Sequence, residues 1–209
     1  MYSHMGIRYT SDRVVEFRHV FINCASNRLS EKYRKRNYTK GIWNLDDIKR
    51  NCRNFITRMK PKIGIITSKG GHLYQMYRLK PWWSAYDRFW VTFEGEDATS
   101  LLKHERMYFG YYPETRNVLN ALKHIALAWD ILRREKPTVL ISSGAGIAPP
   151  FFLLAKIMGI KTIFIEVFDL VKHPSLTGKI LAPFVDHMLI QHKSQKKFYP
   201  NATYKGAIL

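Results

Sequence analysis

Residues 63–73 read Ile-Gly-Ile-Ile-Thr-Ser-Lys-Gly-Gly-His-Leu, a short apolar run followed closely by two glycines. Residues 63–67 have the length of a buried strand, and the pair Gly70 and Gly71 marks a tight turn into a helix. Adjacent glycines let the backbone approach a ligand, and free N–H groups at a helix start favour an anion such as a diphosphate. The segment therefore predicts the first strand, loop and helix of an α/β domain. A tight turn without a ligand is the alternative explanation of its glycines.

Five further apolar runs continue this pattern along the chain. They alternate with longer helical stretches, which is typical of a parallel sheet with crossover helices. The runs are residues 89–93, 107–111, 139–142, 162–167 and 188–191. The sequence thus predicts a doubly wound, Rossmann-like α/β fold. In such sheets ligands bind beyond the carboxyl ends of the strands, where the strand order reverses.

The longest predicted helix, residues 114–136, lies between the third and fourth predicted strands and is stopped by Pro137. Its apolar residues recur every three or four positions, as one helix face requires. They are Val118, Leu122, Ile125, Trp129 and Leu132. We expect this face to be buried.

The length of 209 residues, 46% of them hydrophobic, favours one domain with an appendage. Residues 1–58 form the predicted basic appendage, because they hold 13 Lys or Arg against 5 Asp or Glu and sustain no period of 2 or 3.6. Residues 59–209 form the predicted domain. The two cysteines, Cys24 and Cys52, have no metal-ligand spacing, so we predict reduced thiols in a cytosolic chain. Neither a metal nor a cofactor is predicted.

The charge of the chain indicates an anionic partner. Lys and Arg outnumber Asp and Glu by 34 to 16, which gives a formal net charge of +18. Nucleic acid, phosphorylated molecules and an acidic membrane surface all fit this charge. The best apolar stretch, residues 147–160, is interrupted by Pro149, Pro150 and Lys156 and is shorter than the roughly 18 to 20 residues of a membrane-spanning helix. Any membrane association should then be peripheral, through basic and exposed apolar side chains.

Candidate chemical groups follow the predicted strands. His72, beside the first glycine loop, can act as a general base near neutral pH, although a single histidine is often only structural. In a second glycine loop after the fourth strand, Gly144 and Gly146 fit either phosphate or lipid-head-group binding or close packing of helix on sheet. Glu166 follows the apolar fifth strand and is therefore either solvated at the crevice edge or functionally paired. Ser175 is a candidate N-cap of the next helix.

Several motifs occur in one order across residues 62–209. They are Ser68-Lys69-Gly70-Gly71-His72-Leu73, Ser143-Gly144-Ala145-Gly146, Ile165-Glu166, Pro174-Ser175-Leu176-Thr177-Gly178-Lys179, Asp186, Gln191 and Tyr199-Pro200. In this order they resemble the PssD family of polysaccharide biosynthesis proteins and its eukaryotic relative, asparagine-linked glycosylation protein 14. The same stretch is similar, more distantly, to the amino-terminal half of the MurG-type lipid-linked glycosyltransferases.

The resemblance implies one half of a two-lobed GT-B glycosyltransferase that builds bacterial surface polysaccharide, such as exopolysaccharide or capsule. This chain would bind a lipid-diphosphate-linked saccharide acceptor, and a separate PssE-like partner subunit would hold the nucleotide sugar. The complex would lie at the cytoplasmic face of the inner membrane, with this chain bound peripherally to an anionic membrane surface.

The strand positions and the resemblance together give the candidate site. His72 and Glu166 are the predicted catalytic residues, and we expect them to meet across one crevice. The predicted acceptor- and diphosphate-binding residues are Ser68, Lys69, Gly70, Gly71, Gly144, Ala145, Gly146, Lys172 and Ser175.

Three other functions compete with this hypothesis. A non-catalytic membrane recruiter of a catalytic partner would differ only in whether His72 and Glu166 touch the acceptor. A dinucleotide-binding oxidoreductase would explain the strand, loop and helix, with Glu94 or Glu96 on a ribose, but the loop lacks the third glycine of G-x-G-x-x-G. A nucleic-acid-binding module would explain the charge, yet no motif of that class is present, so we predict no nucleic-acid partner.

Overall fold

The computed structural model describes residues 61–113 and 118–208. Within these residues the chain forms a seven-stranded parallel sheet flanked by helices. The predicted basic appendage, residues 1–58, lies outside the described residues.

The strands are β1 (Lys62–Ile66), β2 (Asp87–Thr92), β3 (Met107–Phe109), β4 (Val139–Ser142), β5 (Lys161–Ile165), β6 (His187–Ile190) and β7 (Thr203–Tyr204). Their order across the sheet is β3-β2-β1-β4-β5-β6-β7, and all neighbours are parallel. After β3 the chain crosses the sheet to β4, which pairs with β1, so the strand order reverses between β1 and β4. The predicted doubly wound α/β class and its six strands are confirmed, and the short β7 extends the sheet by one strand.

The helices are α1 (Gly71–Arg78), α2 (Lys80–Trp83), α3 (Glu96–Leu101), α4 (Val118–Glu135), α5 (Ala148–Ile157) and α6 (Leu176–Leu181), with a 3-10 helix at Lys193–Lys197. Side chains of each strand alternate between two apolar layers, because the side-chain period of a strand is two residues. In β2, for example, Trp90 packs in the layer of α1–α3, and Phe89 and Val91 pack in the layer of α4–α6.

The face of helix α4 that packs against the sheet is not the face predicted from the spacing of its apolar residues. Leu122 is 58% exposed, and Ile125 and Trp129 are each 45% exposed, whereas Leu132 is buried. The expectation that this apolar face is buried is therefore wrong at three of its positions. These side chains form an exposed apolar stripe instead.

The face of α4 that is buried contains polar residues with partners on other elements. Asn120 donates its side-chain N–H to the Pro113 carbonyl at 2.9 Å, and His124 Nε2 accepts the Tyr111 N–H at 2.9 Å. Glu135 accepts hydrogen bonds at the other end of the helix. Burial of a polar group is tolerated when it is hydrogen-bonded. The apolar period cannot reveal these distant partners, which decide the orientation of the helix.

The amino edge of the sheet is closed by charged groups around Glu135. Its carboxylate accepts hydrogen bonds from Lys62 Nζ at 3.0 Å, Arg106 Nη1 at 2.6 Å and the Tyr108 hydroxyl at 2.5 Å. Burial alone would raise the pKa of Glu135, but the hydrogen bonds and the two cations together lower it. This network ties the starts of β1 and β3 to the end of α4, and the predicted site residues lie at the opposite, carboxyl edge.

Candidate functional site

The first glycine loop, residues 68–71, follows β1 and enters α1. Ser68 is buried and Lys69 is exposed. Gly70 has a φ of +70°, a conformation that favours glycine. Gly71 has no such requirement, and a Cβ atom added there would meet no other heavy atom within 4 Å. Since neither its φ nor packing requires a glycine at position 71, its presence fits the close approach of a ligand to this backbone.

Asp97 contacts the first glycine loop, although the sequence analysis did not predict a role for it. Its Oδ2 atom accepts the Gly70 N–H at 2.6 Å from the first turn of α3. One N–H group of the predicted diphosphate cradle is therefore already bonded to a carboxylate. A diphosphate at this loop would bind to other donors or displace Asp97. The only indication in the sequence was the position of Asp97 shortly after the second predicted strand.

His72 is held by the second glycine loop. Its Nδ1 atom lies 3.2 Å from the Ser143 carbonyl oxygen and 3.4 Å from Ser143 Oγ, which in turn donates to the His72 carbonyl at 3.2 Å. A carbonyl acceptor favours the tautomer with its proton on Nδ1, and Nε2 is then the basic nitrogen of the neutral ring. This contact favours the tautomer of His72 that a general base requires.

The second glycine loop has an unusual backbone. Gly144 has a φ of +118° and Ala145 a φ of +74°, a left-handed conformation that L side chains seldom adopt. A Cβ atom at Gly144 would lie 3.4 Å from the His72 ring and 3.5 Å from the Phe164 ring. These separations are ordinary van der Waals contacts, so the positive φ, and not close packing, accounts for the glycine at position 144. Ala145 and Gly146 are half-buried at the start of α5, and the strain at Ala145 is of the kind that is retained at ligand sites.

Glu166 is fully buried directly after β5, and its carboxylate is paired rather than solvated. It accepts hydrogen bonds from the Val167 N–H at 2.9 Å, from the N–H and hydroxyl of Ser175 at 3.4 and 3.1 Å, and from the Tyr199 hydroxyl. Burial, and next the hydrogen bond to Glu166, raises the pKa of Tyr199 well above its usual range, so the phenol remains a donor. These contacts hold Glu166 in place and fix the loop that follows it.

Ser175 is the N-cap of α6, as the sequence predicts. Its Oγ atom accepts the Gly178 N–H at 2.8 Å while its hydroxyl donates to Glu166. The single proton of this hydroxyl is donated to Glu166, so a contact of Ser175 with a diphosphate oxygen would have to replace that hydrogen bond. Lys172 is exposed in the loop between β5 and α6.

Buried glutamines connect α1 to the loops around Glu166. The Gln191 amide donates to the Glu166 carbonyl at 2.9 Å and to Gln75 Oε1 at 3.2 Å, and its oxygen accepts the Ile208 N–H at 2.8 Å. Gln195 Nε2 donates to carbonyls of the loop after β5 at 3.0 and 3.1 Å. The resemblance included Gln191 without a role, and the roles of Gln75 and Gln195 were missed because their partners are distant in sequence.

The predicted site residues thus fall into two clusters at the carboxyl edge. The first joins His72 to the second glycine loop through Ser143, and the second surrounds Glu166. Helix α1 links them, because it carries His72 and also Gln75, which Gln191 connects to the Glu166 backbone. The hydrogen bonds described for each predicted catalytic side chain run within its own cluster. Their meeting across one crevice stays a prediction.

Two kinds of feature are absent from the described residues. Residues 61–113 and 118–208 contain no group of three or more His, Cys, Asp or Glu side chains that could hold a metal ion. In the same part of the chain, no helix has both the length and the apolar character needed to cross a membrane.

Residues 63–208 match the family described as "Oligosaccharide biosynthesis protein Alg14 like". The chain is 27% identical over 176 residues to "UDP-N-acetylglucosamine transferase subunit ALG14" of Rattus norvegicus, a match that covers 69% of this chain and 82% of the relative. The residues that match the family, 63–208, include both glycine loops, Glu166 and the buried glutamines.

A second group of relatives is longer than this chain. The chain is 29% identical over 106 residues to "UDP-N-acetylglucosamine--N-acetylmuramyl-(pentapeptide) pyrophosphoryl-undecaprenol N-acetylglucosamine transferase" of Geobacillus kaustophilus, which covers 50% of this chain and 29% of that protein. The crystal structure of MurG from Acinetobacter baumannii superposes with a TM-score of 0.52 at 17% identity, over 63% of this chain and 41% of MurG. The chain spans less than half of either protein, and the likeness to MurG concerns the fold.

Proposed function

Because this chain belongs to the Alg14-like family of oligosaccharide biosynthesis proteins, we propose that it is the acceptor-binding subunit of a two-component glycosyltransferase. A partner subunit, of the PssE-like kind, holds the nucleotide sugar. The acceptor is a lipid-diphosphate-linked saccharide of surface polysaccharide biosynthesis. Two relatives support this proposal by what they are named for, since the rat protein is one subunit of a transferase and the Geobacillus protein acts on a pyrophosphoryl-undecaprenol compound.

The observation that carries the proposal is the contact between His72 and the second glycine loop. Glycosyl transfer forms a bond between an acceptor hydroxyl and the anomeric carbon, breaks the bond from that carbon to the nucleotide diphosphate, and releases the hydroxyl proton. His72 Nε2 takes that proton as the general base. The two glycine loops, with Lys69 and Lys172, surround the acceptor diphosphate, which needs cationic or N–H donors.

Glu166 has a different part in the proposed mechanism. The hydrogen bonds described for its carboxylate all come from donors within the protein. Glu166 therefore orders the acceptor-side loop through Ser175 and Tyr199. A role for Glu166 as a second base stays a prediction, and it would require one of these donors to leave.

The exposed side of α4–α6 supports peripheral binding to an anionic membrane. We call this surface the membrane face. Its exposed apolar residues are Leu119, Leu122, Ile125, Trp129, Leu153, Ile157, Leu176, Ile180 and Phe184. Exposed basic residues occur on or just after the same helices, namely Lys123, Arg133, Arg134, Lys136, Lys156 and Lys179. Apolar side chains next to Lys and Arg are the pattern by which proteins bind at the surface of an anionic bilayer.

A non-catalytic recruiter is the second candidate function, because the membrane face would serve it equally well. It would bring the catalytic partner to the membrane without contributing His72 to the reaction.

The test of the proposed function is reconstitution. The purified full chain alone should transfer no sugar to a lipid-diphosphate-linked acceptor, because neither half alone encloses both substrates. After co-expression with the donor-binding subunit, the complex should transfer the sugar. Product formation is measured by mass spectrometry, with the donor-binding subunit alone as the control. Transfer by this chain alone would contradict the split-enzyme proposal.

A further inference from the structure

The loop after β3 presents two adjacent aromatic side chains to solvent. Tyr111 is 46% exposed and Tyr112 is 66% exposed. Large apolar surfaces at neighbouring positions suggest a ligand when the backbone beneath them is fixed. Here it is fixed, because the Tyr111 N–H donates to His124 and the Pro113 carbonyl accepts from Asn120, each at 2.9 Å.

The residues that fix this loop are themselves buried. His124 is 1% exposed and Asn120 is 7% exposed, so α4 commits two buried polar side chains to the loop backbone. The His124 ring also stacks on Tyr111, with centroids 5.9 Å apart and planes 30° apart. The orientation of Tyr111 is therefore set by the core and does not depend on a ligand.

Two ammonium groups from different elements lie over these rings. Lys69 Nζ, from the first glycine loop, is 4.5 Å from the centroid of Tyr112, and Lys123 Nζ, from α4, is 5.5 Å from that of Tyr111. The ion pairs found within the described residues include neither lysine. Each of the two adjacent exposed tyrosines thus has an ammonium group over its ring, and we call these four residues the tyrosine–lysine platform.

The platform combines a residue of the first glycine loop with a residue of α4, the helix that carries part of the membrane face. Lys69 belongs to the glycine loop at the carboxyl edge, and Lys123 follows Leu122 of the membrane face. A ligand with a phosphate group and a hydrocarbon chain would match this order, because its charge would meet the lysines and its chain would lie along the tyrosines toward α4. Tyrosine suits such a boundary, since its ring is apolar and its hydroxyl is polar.

We propose that Tyr111, Tyr112, Lys69 and Lys123 bind the diphosphate and the adjoining isoprenoid unit of a lipid-linked substrate. The proposal rests on the proposed function for the identity of the lipid. It extends the diphosphate site of the first glycine loop, through Lys69, to a surface at which the carrier lipid, and not the sugar, is recognised.

The test is binding of farnesyl diphosphate, a soluble isoprenoid diphosphate, to the purified full chain without a partner, followed by isothermal titration calorimetry. Lys69→Gln and Lys123→Gln should each weaken binding by about five- to tenfold, as expected for loss of a charge-assisted contact. Tyr112→Leu should weaken it by about two- to fivefold, because an aromatic face is lost while apolar area remains.

The chain offers a matched control at the other end of the sheet. Lys193 Nζ lies 5.8 Å from the ring centroid of Tyr204 in β7, which is the same kind of pair in another place. Lys193→Gln and Tyr204→Leu should change the affinity for farnesyl diphosphate less than twofold. A similar loss of affinity in these control variants would overturn the proposal, because binding would then depend on overall charge or on non-specific hydrophobic contacts.

Two partial ligands separate the contributions of charge and hydrocarbon. Inorganic diphosphate should bind more weakly than farnesyl diphosphate and lose affinity in Lys69→Gln, whereas weak binding of farnesol should not respond to that change. Equal affinities for farnesol and farnesyl diphosphate would overturn the proposal.

The two hypotheses can fail separately. A reconstituted complex that transfers sugar, while farnesyl diphosphate binding is insensitive to Lys69→Gln and Tyr112→Leu, would overturn the platform alone. An inactive complex combined with binding that responds to those variants would support the platform and contradict the proposed function.

Discussion

At the scale of single residues, His72 and Glu166 have surroundings that suit different tasks. The His72 ring is half-buried and bonded through Nδ1 to a backbone carbonyl, an arrangement that orients its second nitrogen. Glu166 is fully buried and accepts hydrogen bonds from the backbone and side chain of Ser175 and from Tyr199. Replacing the first should affect the reaction, and disturbing the second should affect stability.

For His72→Ala we expect a loss of about 10² to 10⁴ in turnover by the reconstituted complex, the usual effect of removing a general base. The thermal midpoint and co-purification of the partner should change little. His104→Ala, which alters an exposed histidine after α3, is the matched control and should keep full turnover. Near-normal turnover of His72→Ala would assign the base to the partner and favour the recruiter function.

For Tyr199→Phe we expect a loss of about 1 to 3 kcal/mol in the free energy of unfolding at pH 8, because the buried Glu166 carboxylate loses a donor. Tyr204→Phe, at an exposed tyrosine, is the control. Urea-induced unfolding measures both. Equal stability of wild type and Tyr199→Phe would mean that the remaining donors satisfy Glu166.

The same variant has a predicted pH dependence. The pKa of Tyr199 is raised in the folded state, so its contribution is fully present below the unfolded value of about 10 and is lost as the pH rises through the folded value. The stability difference between wild type and Tyr199→Phe should therefore narrow above about pH 10. A difference that stays constant through that range would contradict this linkage.

At the scale of elements, α4 has two differently used faces. One bonds to the loop after β3 and to the amino edge, and the other exposes Leu122, Ile125 and Trp129. The exposed apolar residues have the basic residues Lys123 and Arg133 near them on the same helix. This is the amphipathic pattern of helices that lie at a bilayer surface.

For Trp129→Ser we expect about a tenfold weaker affinity for vesicles of phosphatidylcholine and phosphatidylglycerol. The variant lacks the large apolar surface that Trp129 would bury in the bilayer. Higher salt should weaken binding of the wild type as well. Tyr74→Ser is the matched control, since Tyr74 is 47% exposed on α1, which packs on the other face of the sheet. Equal losses in both variants, or none in Trp129→Ser, would place the membrane contact elsewhere.

The first six strands, both glycine loops and the long helix α4 could be predicted from the sequence, but their environments could not. Short apolar runs fixed the first six strands, and the glycines after residues 63–67 and 139–142 located both loops, because strand length and turn residues are local properties. Which face of α4 is buried depends on His124 and Glu135, whose hydrogen-bond partners lie on other elements. The enclosure of Glu166 depended on Tyr199, 33 residues further along the chain, so no local pattern contained it.

At the scale of the whole molecule, the two edges of the sheet differ in how their charges are used. Lys62, Arg106 and Lys161 lie at the amino edge and pair with carboxylates there. Burial would raise the pKa of Asp186, the partner of Lys161, but its hydrogen bonds from Lys161 and Thr162 lower it. The lysines of the tyrosine–lysine platform, near the carboxyl edge, contribute to none of the ion pairs found in the described parts of the chain.

The exposed stripe on α4 also bears on how the protein would find its substrate. A chain docked through this stripe can translate only within the plane of the bilayer and rotate only about the normal to that plane. Encounters with a lipid carrier then become a two-dimensional search, in which the carboxyl edge is kept at a nearly constant depth. Collision frequency would depend on lipid viscosity and on the number of carriers per unit of membrane area, and the volume of the surrounding solution would no longer matter.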